Sequence, residues 1–405
     1  MDRSEKPKSE TTIHAREVAM LCKGDDGYGV AAVLKQYAQN VPEFHFVCLG
    51  PGAMYDWLKQ NGNHVHLVEG LAGFTATSSI QTLSRFPRAM FLARRDALRL
   101  HRLLQSLGVR IIHAHWLPQH MIAGHMRRLG YSSVWHIHGN MTSSRLFGYG
   151  VKLNHSLARW GADLLIPVSD FIASNWRGAG VPIHTIHNAA NVIFDGPNDL
   201  ELNPIRCVIA GRLIEDKGHH LAVQAVLSAR AAGHDVQLDV FGGPLDNNSY
   251  FDRLRTLAEQ SRPQECIRFM GFSKDLRLLH QSYALGLQCR ISPEPCSVWV
   301  CETLLDGLPL IASDSGGTSE LVEEGITGFM FRSGDVEDLT SKLIKMAADL
   351  SGLKAMRRHA YARGQKHFRL NRFLAQTFEA YETLRASPTV GTIMRIGNHK
   401  ESLHQ

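Results

Sequence analysis

The sequence predicts an α/β protein made of two doubly wound parallel-sheet domains, and three observations carry that expectation. The chain has 405 residues, more than one hydrophobic core ordinarily serves, so two domains of roughly 190 residues each are expected. Short apolar runs of strand length alternate with stretches of helical periodicity. Several of those runs end at glycine-containing loops that open into helices, which is how a parallel sheet presents backbone amides at its carboxyl edge.

Hydrophobic residues make up 44% of the chain and charged residues 20%, both values of a globular protein. No run of about 18 apolar residues occurs, and the first ten residues, MDRSEKPKSE, are charged; neither a spanning helix nor a signal peptide is indicated, and a cytoplasmic protein is expected. The seven cysteines, at 22, 48, 207, 266, 289, 296 and 301, form no C-x-x-C pair and read as reduced core thiols. A formal charge of +6 suits an anionic partner. Nucleic acid is a poor candidate, because no nucleic-acid module is recognisable.

In chain order, residues 1–16 are polar and expected to be disordered. A strand over 18–22 runs into Lys23-Gly24-Asp25-Asp26-Gly27-Tyr28-Gly29 and a helical pattern from Val30. Strands are expected at 44–49, 64–68, 110–115, 133–138, 163–168 and 183–187, so the first domain spans 17–195. The segment from Asn188 to Pro204 is rich in Asn, Asp and Pro and reads as a hinge.

The second domain, 196–370, starts with a strand over 206–210 that delivers Gly211-Arg212-Leu213-Ile214-Glu215-Asp216-Lys217-Gly218 into a helix. Further strands are expected at 236–241, 267–270, 285–289 and 309–312. Apolar positions from Val336 to Leu350 recur at helical spacing, as do those of an amphipathic segment over 373–384. The tail, 387–405, reads as flexible.

The stretch from Arg290 to Phe331 is the densest in chemistry. Glu294 sits in a Pro-Glu-Pro corner and Glu302 in the apolar segment that follows. Pro295 suits a first helical turn, and a helix starting near Cys296 or Ser297 would turn its free N–H groups toward the corner, forming an anion site. On that helix Glu302 would lie roughly 80° round from Glu294, so both carboxylates could border one cleft. Gly307 suits the helix C′ position. Carboxylates facing a phosphate would repel it; they better accept hydrogen bonds from a neutral polyol while the amides hold a phosphate. A sugar nucleotide has both parts.

The pattern Ser292-Pro293-Glu294, Glu302, Gly307-Leu308-Pro309-Leu310-Ile311-Ala312-Ser313, Gly316-Gly317-x-x-Glu320 and Gly325-x-Thr327-Gly328 resembles the signature of the family-4 retaining glycosyltransferases. The resemblance implies the GT-B fold, two Rossmann-like domains facing a central cleft, with a last helix, 371–386, crossing back onto the first domain. It also implies transfer of a hexose-type sugar, with retention, from a UDP- or GDP-linked donor to a hydroxyl of a glycan, lipid-linked or small-molecule acceptor. That activity belongs to polysaccharide or glycolipid biosynthesis. No resident cofactor or metal is implied.

By the same resemblance, Arg212 and Lys217 match a Gly-Arg-x4-Lys-Gly phosphate motif and would take up the charge of the leaving diphosphate. Glu302 would accept hydrogen bonds from the ribose, Glu294 from the transferred sugar, and the N–H groups of Ser297 and Val298 would approach sugar and diphosphate. His138 would line the sugar from the first domain, as a neutral imidazole bonding a hydroxyl or as an aid to the acceptor proton. Gly27 and Gly29 would lie on the acceptor side. One departure is that Cys296-Ser297 stands where the family usually has Phe-Gly, which leaves open a binding partner without turnover. Another GT-B enzyme, such as an epimerase, is the remaining alternative.

Two further features stand apart. His113, His115, His136 and His138 form two His-x-His pairs, but no third-ligand pattern completes a zinc site. Between Leu83 and Arg110 the chain carries Arg85, Arg88, Arg94, Arg95, Arg99, Arg102 and Arg110 among apolar residues, with Asp96 the only acid. On a helix, Arg88, Arg95, Arg99 and Arg102 share a face suited to peripheral contact with an anionic membrane.

Overall fold

The computed structural model describes residues 13–26, 28–69, 79–140, 150–244, 246, 249–259 and 266–385. Its first half alternates β1 (Val18–Cys22), α1 (Tyr28–Asn40), β2 (His45–Cys48), α2 (Ala53–Gln60), β3 (His64–Leu67), α3 (Ser79–Ser106), β4 (Ile111–Ala114), α4 (Leu117–Arg127), β5 (Ser132–Ile137), α5 (Gly150–Gly161), β6 (Leu164–Pro167) and α6 (Asp170–Ser174). The second half continues with β7 (Ile205–Ala210), α7 (His219–Ala231), β8 (Val236–Phe241), α8 (Ser249–Glu259), β9 (Ile267–Gly271), α9 (Leu276–Leu279), β10 (Leu285–Gln288), α10 (Val298–Leu305), β11 (Leu310–Ser313), α11 (Thr318–Leu321) and β12 (Gly328–Phe331). Three helices close it: α12 (Val336–Ala348), α13 (Leu350–His367) and α14 (Leu370–Arg385).

The strands form two six-stranded sheets, ordered β3-β2-β1-β4-β5-β6 and β12-β11-β10-β7-β8-β9, and every pairing is parallel. Central strands such as β1 and β4 are buried along their whole length, because helices cover both faces of a parallel sheet and leave no polar side. Both sheets reverse direction of strand order at their middle, β1 with β4 and β7 with β10. Loops at such a reversal diverge and leave a crevice for ligands at the carboxyl edge.

The helix α14 packs on the first sheet: Phe373, Ala380, Tyr381 and Leu384 are buried with Met20, Leu34, Tyr37 and Phe46. Tyr37 and Thr377 share a hydrogen bond of 3.0 Å. In α3, Ala89, Ala93, Ala97, Leu100 and Leu104 form the buried stripe, while Arg88, Arg94, Arg95, Arg99 and Arg102 are exposed. Asp96 is fully buried and meets Arg95 at 3.0 Å and Arg99 at 3.8 Å.

The structure corrects several expectations. Residues 183–187 are not a strand; they run beside β6 with only a bridge between Leu165 and Ile183. Ile186 N–H reaches the Pro167 carbonyl at 3.0 Å, but Pro167 has no N–H to return, so no ladder forms. The second sheet has instead a sixth strand, β12, which the motif reading of Gly325 to Gly328 passed over. Of the segment expected to be disordered, residues 13–16 are ordered, and the Ile13 N–H donates to Glu382 Oε1 at 2.8 Å. The helical pattern from Val336 breaks at Asp349, whose carboxylate caps α13 through the Gly352 N–H at 2.8 Å. The expected flexible tail lies outside the described residues.

Candidate functional site

Two loops at the carboxyl edge of the second sheet meet. The first follows β7 and turns into α7 at Gly218, which has φ +66°; a Cβ there would collide with the Cys289 carbonyl, so only glycine lets the loop lie on β10. The second follows β10 and carries the Pro-Glu-Pro corner. Lys217 Nζ lies 3.3 Å from Glu294 Oε2, and Arg290 Nη1 lies 2.8 Å from the same oxygen. Arg290 also donates through Nε to Asp216 Oδ2 at 3.0 Å and to Ser292 Oγ at 3.1 Å. Burial works against the Arg290 charge, but the Glu294 and Asp216 carboxylates outweigh it and hold its pKa above the ordinary value. Arg212, one residue past Gly211, is exposed at the mouth of this loop.

The helix α10 begins at Val298, with Ser297 as its N-cap accepting from the Val300 N–H at 3.4 Å. Serine thus does at this position what glycine could not, and caps the helix whose first turn carries the open amides. Pro295 lies outside the helix, three residues before it. The angle expected between Glu294 and Glu302 on one helix therefore does not apply. Glu294 is held by a bridge to Gly316 and by its carbonyl accepting from the Gly317 N–H at 2.7 Å. Gly316, at φ +71°, presses on the Glu294 backbone, and a Cβ there would collide with it. Cys296 is buried and packs in the core, as expected of it. Gly307, at φ +73°, follows the C-cap Asp306 as expected.

Glu302 is half-buried on α10, and its carbonyl accepts from the Asp306 N–H at 3.0 Å. Burial pushes its carboxyl up to about 7, with Arg277 opposing and Asp306 adding to the shift. Asp306 is fully buried and fixes that surrounding: it accepts a bidentate pair from Arg277 at 2.9 and 2.8 Å and lies 2.9 Å from His280 Nδ1. The ring of charge beside Glu302 is therefore rigid.

In the first half, Gly27 lies outside the described residues, and Gly29 is in the first turn of α1 rather than in a loop. The loop after β1 is organised by Asp26, a residue the motif reading did not single out. Its carboxylate accepts from the Lys23 N–H at 2.6 Å and from Trp116 Nε1 at 2.7 Å. Lys23 in turn sits 4.1 Å over the Trp116 ring.

His138, at the end of β5, joins a stack. His115 Nδ1 lies 2.9 Å from His138 Nε2, His113 Nε2 lies 3.1 Å from His136 Nδ1, and His113 Nδ1 lies 2.6 Å from the Tyr381 hydroxyl on α14. Burial, with His120 adding, lowers the pKa of His138 to about 3, so it is a neutral imidazole with one donor and one acceptor nitrogen. Three of the four histidines come together: nitrogens of His113, His115 and His136 lie within 4.8 Å of one another. Their rings are stacked, His113 on His115 at 8° and His115 on His136 at 28°, and stacked rings aim their lone pairs along parallel planes rather than at one point.

The two halves touch at α11. Glu320 accepts from the N–H groups of Asp170 and Phe171 at 2.8 and 2.7 Å. Asn188 Nδ2 reaches the Cys296 carbonyl at 2.7 Å, tying the linker to the Pro-Glu-Pro corner. Sequence could not show either contact, since each joins residues more than one hundred positions apart.

Comparison with known proteins places this geometry. The family profile described as Glycosyl transferases group 1 matches residues 195–366, and the one described as Glycosyltransferase Family 4 matches residues 53–192. The chain is 27% identical over 252 residues to WcaL of Salmonella typhimurium, named for colanic acid biosynthesis as a glycosyltransferase; the match covers 58% of this chain and 60% of WcaL. It is 24% identical over 198 residues to AmsK of Erwinia amylovora, an amylovoran biosynthesis glycosyltransferase, covering 46% of this chain and 47% of AmsK. Among solved structures, HepE of Anabaena in complex with UDP superposes with a TM-score of 0.73 at 18% identity, over 91% of this chain and 100% of that one. A glycosyltransferase from Rickettsia africae gives a TM-score of 0.75 at 17% identity, over 91% and 98%. The fold is GT-B, and with the two profiles together taking in most of its length the chain belongs to the family-4 glycosyltransferases.

Proposed function

We propose that the protein is a retaining, metal-independent glycosyltransferase that moves a hexose-type sugar from a UDP- or GDP-linked donor to a hydroxyl of a glycan, lipid-linked or small-molecule acceptor. The observation that carries the reading is the meeting of Lys217 with Glu294 at the start of α10. A cation for the leaving diphosphate, a carboxylate for sugar hydroxyls and the free amides of a helix N-terminus converge there. Arg212, exposed on the same loop as Lys217, offers a planar guanidinium, so that two protein cations take the place of a divalent ion. Glu302 holds the ribose, Ser297 and Val298 offer their amides, and His138 lines the sugar from the first domain, which spans 17–195. The second domain spans 196–370, and the expected crossover segment, described as α14 over Leu370–Arg385, ties the two.

Retention follows from front-face attack, in which the departing phosphate takes the acceptor proton; domain closure over Gly29 and His138 keeps water out. The names of WcaL and AmsK support a role in polysaccharide biosynthesis. The complexes of HepE with UDP and UDP-glucose support a nucleotide-sugar donor. The arginine face of α3 supports peripheral contact with an anionic membrane from the cytoplasmic side. The test is a thermal-shift screen of UDP, GDP and their sugars, followed by assay for slow donor hydrolysis without acceptor. A stabilised protein that hydrolyses no donor and transfers no sugar would be a binding partner, not an enzyme.

A further inference from the structure

Arg290 lies outside the residues to which the proposed chemistry gives a role, yet it makes the shortest contact to the Glu294 carboxylate. Glu294 is 7% exposed, and its Oε2 accepts from both Arg290 Nη1 at 2.8 Å and Lys217 Nζ at 3.3 Å. A buried carboxylate stripped of its last cation is costly. The two cations differ in how they are held. Arg290 is clamped at its other edge by Asp216 Oδ2 at 3.0 Å and Ser292 Oγ at 3.1 Å, and Asp216 Oδ1 is itself fixed by the Ser292 N–H at 3.1 Å. The Ile291 N–H further donates to the Asp216 carbonyl at 2.9 Å. Lys217 has one long contact on a flexible stem.

We infer that Arg290 is a positioning residue that keeps Glu294 paired, so that Lys217 can leave the carboxylate for the donor's diphosphate. The inference rests on the nucleotide-sugar reading and deepens it. Without Arg290, Lys217 is the only remaining cation on Glu294 among the described residues, and every phosphate contact it makes leaves that carboxylate without either partner. Glu294 then competes with the diphosphate for Lys217. With both Arg290 and the Glu294 charge removed, the competition disappears.

The test is isothermal titration of UDP and of GDP into the full chain, with circular dichroism of each variant to verify folding. Arg290→Gln weakens diphosphate binding by about 10- to 100-fold, while Arg290→Lys, which keeps a charge near Glu294, loses less. Glu294→Gln tightens binding, because Lys217 is released. The double variant Arg290→Gln/Glu294→Gln returns to within about threefold of wild type, a non-additivity expected of residues sharing one partner. A double variant as weak as Arg290→Gln alone overturns the inference, since Arg290 would then touch the diphosphate itself or merely hold the loops. An Arg290→Gln chain that binds like wild type also overturns it. A wild-type chain that binds neither UDP nor GDP overturns the nucleotide-sugar reading first and this inference with it.

Discussion

His187 Nε2 lies 2.8 Å from Glu320 Oε2, which joins the linker after β6 to the helix α11 beside the second sheet. The same carboxylate serves the N–H groups of Asp170 and Phe171, so three donors depend on one side chain. Burial raises the Glu320 pKa, but His187 and the two N–H bonds outweigh it and leave it lowered. A lowered carboxyl contributes stability that is present above its ordinary range and lost as pH falls through the folded value. Glu320→Ala therefore costs about 2 to 4 kcal/mol at pH 7, and the difference from wild type shrinks by pH 4. Urea unfolding at both pH values measures it; a variant as stable as wild type at pH 7 would show that Glu320 does not hold the halves together.

Removing either cation of the proposed diphosphate site tests the leaving-group chemistry. Arg212→Ala and Lys217→Ala fold, and each loses about 2 to 4 kcal/mol of transition-state stabilisation, read from kcat/KM. Activity survives EDTA. Full activity in either variant removes the cationic model, and a strict need for added divalent metal replaces it with Lewis-acid chemistry.

The two signature carboxylates separate by kinetics. Ribose contacts are nearly equal in ground and transition states, whereas contacts to the transferring sugar strengthen as charge develops on its ring. Glu302→Gln raises donor KM, and Glu294→Gln lowers kcat. The Glu302 carboxyl, pushed up to about 7 from an ordinary 4.5, favours the protonated form when folded. Its contribution to stability is complete below pH 4.5 and lost as pH rises through 7. Glu302→Gln thus stabilises the donor-free protein by roughly 1 to 3 kcal/mol at pH 8 and by little at pH 4.5. Denaturation midpoints at the two pH values check the sign, and a reversed kinetic assignment would swap the roles of Glu302 and Glu294.

Acid should unfold the first domain early. Burial lowers the pKa values of His113 and His120 to about 3, and those of His115 and His136 well below the ordinary 6.5. Their stabilising contribution is present above 6.5 and is lost as pH falls toward the folded values. At pH 5 each buried ring costs on the order of 2 kcal/mol, and several together are comparable with the stability of an ordinary domain. Circular dichroism should show the native signal lost between pH 6 and 4.5; a native spectrum at pH 4 would mean that the stack protonates in place.

For the membrane, the test is co-sedimentation with vesicles. The exposed arginines of α3 flank Phe91, which is 68% exposed, and Leu98. Each Arg near an anionic surface contributes about 1 kcal/mol, screened within a Debye length. Binding to phosphatidylserine vesicles at low salt, lost at high salt and absent with neutral lipid, is expected. Equal binding to both lipids, or none, would leave the acceptor soluble.

The sequence made the architecture and the glycine turns of the candidate site legible because both are written locally. Buried parallel strands read as apolar runs, and Gly211 to Gly218 or Gly316-Gly317 announce a turn that only glycine can make. What it concealed was pairing over distance. Arg290 stands four residues before Glu294, but that Asp216 clamps it depends on two loops meeting across the sheet. Residues 183–187 have strand composition and lack only a donor on Pro167, which belongs to a different segment. That the two histidine pairs stack on each other was invisible because the register of β4 on β5, with His113 opposite Val134, decides which rings face each other.

The burial of α14 in the first sheet's core also bears on the order in which the chain is made. Val18, Phe46 and Tyr37 share their core with Phe373 and Tyr381, which leave the ribosome some three hundred residues later. The first sheet can pair its strands as they emerge, but its helical cover stays incomplete until Leu370–Arg385 has been synthesised. During that interval the apolar groove awaiting α14 is exposed on the nascent chain, and chaperones would have to shield it.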